Sequence, residues 1–140
     1  MKRRKRTEIL IQGDCRLAQQ LAMSIVDAYE CREIIAPQYG LTMIKMRETA
    51  KNSLFYIGEV LITEAKVEIN NCIGVGIVVG MQDELAKHLA IIDAAYKASL
   101  PETATWEEQL IEAEKIIKKE QAQKQAELFQ TKVSFETMEV

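Results

Sequence analysis

Between Phe55 and Ile69 the sequence FYIGEVLITEAKVEI has the pattern of one long strand of about fifteen residues, its last third alternating without fault, where a strand usually holds about five or six. Phe55, Ile57, Glu59, Leu61, Thr63, Ala65, Val67 and Ile69 share one parity, and Glu64, Lys66 and Glu68 alternate with the last of them. The odd face belongs to a core, and Glu59 sits on it. An unpaired buried carboxylate is costly. Either a bulge at Gly58 turns Glu59 outward, or Glu59 meets a partner.

The rest of the pattern divides cleanly. Arg4 to Gln12 predicts a short helix that stops at Gly13 through a left-handed cap. Asp14 then caps a second helix, whose Leu17, Leu21 and Ile25 recur every four residues beside Ala18 and Ala22. Cys31 to Ala36 predicts a first strand ended by Pro37 and turned through Gln38, Tyr39 and Gly40; Leu41 to Arg47 predicts a second. Thr49 to Ser53 is polar and loops into the long third strand. Asn70-Asn71 suits a tight hairpin, because Asn tolerates positive φ. Cys72 to Val79 returns as a fourth strand, with Ile73, Val75, Ile77 and Val79 on one side.

After Gly80 the period changes. Leu85, Leu89, Ile92 and Tyr96 mark a helix from about Gln82 to Ala98, broken by Leu100-Pro101. Thr105 and Glu108 have capping-box spacing at the start of a last helix, whose apolar stripe thins beyond Ile117 to Ala122, Ala126, Leu128 and Phe129. The end, from Val133 to Val140, alternates like a lone strand. Together these elements predict an α+β fold: a four-stranded antiparallel sheet with N-terminal helices, two following helices and an extended C-terminal tail. Residues 1–100 form the α+β core, and 101–140 the helix and tail of the same single domain.

Composition narrows the function classes. The chain has 140 residues, 48% apolar and 28% charged, which suits one globular domain with a real core. A net charge of −3 argues against a general nucleic-acid binder, although the cluster Lys2 to Arg6 is basic enough to touch phosphates. No apolar run is long enough to span a bilayer, and Ile9-Leu10-Ile11 is too short to follow MKRRKR as a secretory signal. Cys15, Cys31 and Cys72 are scattered, without the spacing of a disulfide framework or zinc site. A cytoplasmic location is expected.

Little of the sequence carries chemistry. Gly74, Gly76 and Gly80 precede a helix, as phosphate-binding glycines do, yet the first two fall inside the strand, where small residues admit close approach of another backbone. His88 is the only histidine and lies off the apolar stripe of its helix, as a surface or interface residue would. Asp93 borders that stripe, either as a surface carboxylate or as half of an inter-chain salt bridge. A Glu59–Asp93 acid–base pair would need the fold to bring the two together. The cysteines read as packing residues rather than nucleophiles.

Several segments together carry a family resemblance: FYIGEVLITEAKVEI, the strand ending IVVG before its helix, Ala90-Ile-Ile-Asp93-Ala94, Tyr39-Gly40-Leu41, and the tail Val133-Ser-Phe135-Glu-Thr137-Met138. In this order and spacing the chain resembles PhnG of the bacterial carbon–phosphorus lyase system. The match is strongest over residues 30–98 and in the tail. It implies a cytoplasmic subunit of a phosphonate-degrading complex, with PhnI, PhnH, PhnJ and PhnL-like partners and room for further copies of itself. That assembly displaces adenine from MgATP with methylphosphonate, giving α-D-ribose 1-methylphosphonate 5-triphosphate. The radical iron–sulfur step belongs to PhnJ, whose cysteine cluster has no counterpart here.

The resemblance assigns no catalytic residue to this chain, and MgATP is a substrate of the assembly rather than a cofactor held by this chain alone. Membrane and specific nucleic-acid partners are not expected. The sequence thus predicts mainly a structural subunit, with Glu59, Asp93, Val133, Phe135 and Met138 as candidate interface residues and the tail adding as a strand to a partner's sheet. The alternative is a standalone nucleotide-binding enzyme using the Gly74–Gly80 region.

Overall fold

A computed structural model describes the backbone of residues 2–138 and the side chains of residues 2–132. In chain order the elements are α1 (Arg3–Gln12), α2 (Cys15–Ala28), β1 (Arg32–Arg47), β2 (Leu54–Ile69), β3 (Cys72–Val79), α3 (Asp83–Lys97) and α4 (Glu102–Met138). The strands form one antiparallel sheet in the order β1-β2-β3. The α+β class holds, with three strands rather than the expected four.

The missing strand is a merger. The segments expected on either side of Pro37 are one continuous β1, because β1 lies at the sheet edge and needs no ladder donor from Pro37 on its free side. Register shifts between Glu33 and Ile35, and between Ile35 and Gln38, absorb the irregularity as bulges. Asn70 and Asn71 do make the β2–β3 hairpin, both with positive φ (49° and 64°).

α3 is the hub. Every residue from Leu89 to Ala95 is buried, because one side of the helix packs on β2 and β3 while α2 covers another. Ala65, Val67 and Ile69 of β2 face it, as their parity requires. Gly74 and Gly76 of β3 face an alanine row, Ala86, Ala90 and Ala94. A Cβ added at Gly74 would lie 2.7 Å from the Ala94 Cα, and one at Gly76 2.7 Å from the Ala90 amide nitrogen. The glycines therefore let helix and strand backbones touch. The turn into α3 is strapped by buried Thr63, whose hydroxyl donates to the Gly80 carbonyl at 2.6 Å and accepts from the Gln82 N–H at 3.1 Å.

The helix ends differ from expectation in two places. Gly13 ends α1 in an extended conformation (φ −82°), not a left-handed one; its lack of a side chain matters because a Cβ would lie 2.9 Å from the Ile9 carbonyl oxygen. α4 begins at Glu102, so Thr105 lies within its first turns and its hydroxyl donates to the Glu102 carbonyl instead of forming a capping box. Asp14 does cap α2, accepting from the Arg16 N–H at 3.0 Å. Buried Trp106 and Leu110 anchor the start of α4, with Trp106 edge-on to Tyr96 at 5.7 Å. The helical backbone of α4 continues to Met138, in place of the extended tail; the side chains of Val133, Phe135 and Met138 lie outside the described residues.

Candidate interaction surface

β3 is half as long as its neighbours, and this shapes the surface. The β2–β3 pairing ends at Ile62 and Val79, while β1 and β2 run on together to Arg47 and Leu54. The extra length is a two-stranded arm of about 30 Å. α3 covers only the β2 segment paired with β3, so the arm is left open. It is not polar. Leu41 is 68% exposed, Leu54 and Met43 58%, and Met46, Tyr56, Ile57 and Phe55 are similarly open.

Register and alternation sort these residues by face. Tyr39 pairs with Thr63, Leu41 with Leu61 and Met43 with Glu59, so all six side chains share the face that carries α3 farther along. Ile44 pairs with Gly58 and Lys45 with Tyr56, leaving Ile57 as an extra residue; Gly58 has φ +154°. The bulge proposed at Gly58 is present, but its effect differs from expectation. It lies before Glu59 in the chain and leaves Glu59 in phase with Leu61 and Thr63, while putting Tyr56 on that face in place of Phe55 and Ile57. Glu59 is exposed because the helical layer ends before it. Its carboxylate sits within an apolar strip formed by Leu41, Met43 and Leu61.

Asp93 occupies the opposite situation. It is 5% exposed, and its carboxylate is held by α1, β3 and the next turn of its own helix. Oδ1 meets Arg3 Nε at 3.0 Å and Arg6 Nη2 at 3.4 Å; Oδ2 meets Lys97 Nζ at 3.2 Å and accepts from the Val75 N–H at 3.0 Å. Arg6 is buried too, its guanidinium 3.7 Å from the centre of the Tyr96 ring. Burial holds the Arg6 pKa below its ordinary value, against the pull of Tyr96 and Asp93. The basic N-terminal cluster is thus largely engaged in the fold: Lys5 pairs with Glu114 at 3.3 Å and Arg4 with Glu8 at 3.4 Å. In the sequence this cluster offers only a phosphate contact, since nothing local identifies a partner almost ninety residues away.

These contacts also guard an open edge. Lys97 donates to the Ile73 carbonyl and Arg3 to that of Val75, so outward backbone groups of the edge strand β3 are occupied by charged side chains. Asp93 and Glu59 are not neighbours. Val75, which binds Asp93, pairs with Lys66, and Glu59 lies seven positions farther along β2, roughly 23 Å away. No two-carboxylate acid–base pair forms.

The remaining candidates fall in modest sites. His88 is half-buried at a cleft of about 430 Å³ between the starts of α2 and α3, bordered by Cys15, Tyr39 and Asp83. Burial lowers its pKa, and a hydrogen bond to Asp83 raises that of Tyr39. The three cysteines are free, and burial pushes the Cys31 thiol up, away from nucleophile character. The glycines of β3 leave no phosphate cradle, since the α3 backbone fills the space above Gly74 and Gly76. Among the described residues, no cluster of His, Cys, Asp or Glu could hold a metal ion, and no helix is long and apolar enough to cross a membrane.

Among the described residues, uncovered apolar surface is the dominant feature. A family model described as "Phosphonate metabolism protein PhnG" matches residues 1–139. The chain belongs to the PhnG family. No curated protein gives a match of its own. Membership gives this chain a role in phosphonate metabolism, as part of the carbon–phosphorus lyase pathway. For a PhnG-family chain, the arm, the free sheet face and the uncovered half of α4 are the surfaces to explain.

Proposed function

We propose that this chain is an obligate, mainly structural subunit of the α-D-ribose 1-methylphosphonate 5-triphosphate synthase assembly, and that the β1–β2 arm is its principal dock for partner subunits of the PhnI, PhnH, PhnJ and PhnL kind. The carrying observation is the arm itself. Monomeric proteins rarely expose contiguous apolar patches beyond a few hundred Å², and this arm presents Leu41, Met43, Leu61, Tyr56 and Leu54 on the face that holds Glu59, and Ile44, Met46 and Phe55 on the other. Enrichment in aromatic residues and Met, with few charges, is the composition of an interface core. Glu59, inside the strip, supplies a directional contact: a cationic or N–H donor on the partner fixes the register of docking.

In this reading the chemistry, displacement of adenine from MgATP by methylphosphonate, belongs to the assembly rather than to this chain alone, and the chain acts in the cytoplasm without a cofactor of its own. Co-expression with the cognate PhnH, PhnI and PhnJ chains, followed by gel filtration, tests the reading. Co-elution in one complex is the expected result, and a monomeric, unbound chain would contradict it.

A further inference from the structure

We infer that the cleft between α4 and the α1–α2 junction is a second docking site, for a basic amphipathic helix of a partner protein. The cleft encloses about 620 Å³, and no sheet residue lines it, so the inference stands apart from the arm. Its apolar part is formed by half-buried Leu17, Ala113 and Ile117, with Ile116 59% exposed. Gly13 faces α4 here: a Cβ there would meet Ile117 Cδ1 at an ordinary van der Waals distance of 3.5 Å.

The rim fixes the occupant's charge. Asp14, Glu112 and Glu120 border the cleft and no cationic side chain does. Among the described residues Glu112 and Glu120 form no ion pair, whereas Glu114, on another side of the same helix, is held by both Lys118 and Lys5. Charge on that side is matched within the chain; at the cleft it is not. The lining of α4 from Gln109 to Glu120 spans about 17 Å, roughly three turns, which suits a helix laid alongside at the usual interaxial distance of about 8–10 Å. Apolar side chains of that helix enter between Ile116 and Leu17, and Lys or Arg on its flanks meets the acids. The chain's own basic segment is an unsuitable donor from a second copy, because Arg3 and Arg6 are committed to Asp93 and Lys5 to Glu114.

The test uses the full-length chain and a fluorescein-labelled helical peptide of about 18 residues, with Leu at i, i+3, i+4 and i+7 and Lys on both flanks. A second peptide carries Glu in place of Lys. Fluorescence anisotropy should give saturable binding of the Lys peptide, weakened about tenfold in Glu112→Lys/Glu120→Lys, while the Glu peptide gains affinity for that variant. The double Gln variant, with less charge change, should fall between. Equal binding of the Lys peptide to all three proteins, or no saturable binding, would overturn the inference. So would a concentration-dependent dimer of the native chain that the charge-reversed variant loses, because the occupant would then be a second copy.

Discussion

The Asp93 carboxylate and the Arg6 guanidinium, 87 positions apart in sequence, meet at 3.4 Å in a buried contact that ties the N-terminal helix to the central one. Arg3 and Lys97 reach the same carboxylate from more exposed positions, and the Val75 N–H brings in the sheet edge. One side chain therefore joins α1, α3 and β3.

Removing that carboxylate should be costly. Asp93→Ala leaves Arg6 buried without its anion and the Val75 N–H without its acceptor, and should lower stability by about 3–5 kcal/mol. Arg3→Ala removes a half-exposed partner and should cost about 1 kcal/mol or less. Urea denaturation of the two variants measures the contrast; similar small losses would show that Asp93 is not the joint described.

The α3–β3 contact predicts an asymmetry between two glycines of the same sheet. Gly76→Ala drives a Cβ against the backbone of Ala86 and Ala90, so the fold should lose about 1–3 kcal/mol or more. At Gly40 nothing lies within 4 Å of the added Cβ, and Gly40→Ala should stay within about 0.5 kcal/mol. Thermal melts of the two variants decide it.

Much of this was legible from local pattern. The Leu21–Ile25 stripe, the Asn70-Asn71 turn and the small residues of β3 each state their requirement within a few positions. Other features depend on what lies across the fold. Pro37 reads as a strand end unless β1 is known to be an edge, which only the strand order shows. Glu59 stands out in sequence as a carboxylate on an apolar face, but its exposure follows from where α3 stops. Asp93 reads in sequence as a boundary carboxylate because two of its cations, Arg3 and Arg6, lie at the start of the chain. The helical continuation of α4 through the alternating 133–138 segment has no local signal, since period two there reads as strand.

The His88 environment predicts a pH dependence. Desolvation lowers its pKa below 6.5, outweighing the attraction of Glu84 and aided by Lys87. The unfolded chain therefore binds the proton first as pH falls, and protons favour unfolding between the two values. The stability from the neutral imidazole is complete above about pH 6.5 and is lost as pH falls through the lower folded value. The drop in Tm between about pH 7.5 and pH 5.5 should be smaller in His88→Gln than in the native chain. An unchanged drop would show that other groups carry it.

Glu59 separates docking from folding. Its carboxylate is exposed on the arm, so Glu59→Ala should leave the Tm of the isolated chain nearly unchanged while weakening recovery of the complex. A large loss of Tm would point to an internal partner.

The most direct measurement is assembly of an arm variant. Leu41→Glu/Leu61→Glu places charges on a register pair that is already open to solvent, so the isolated chain should keep its helical circular dichroism and gain solubility. Co-expressed with PhnH, PhnI and PhnJ, this variant should elute as free subunit where the native chain elutes in the complex. Recovery of a full complex containing the folded variant would contradict the claim that the β1–β2 arm is the dock.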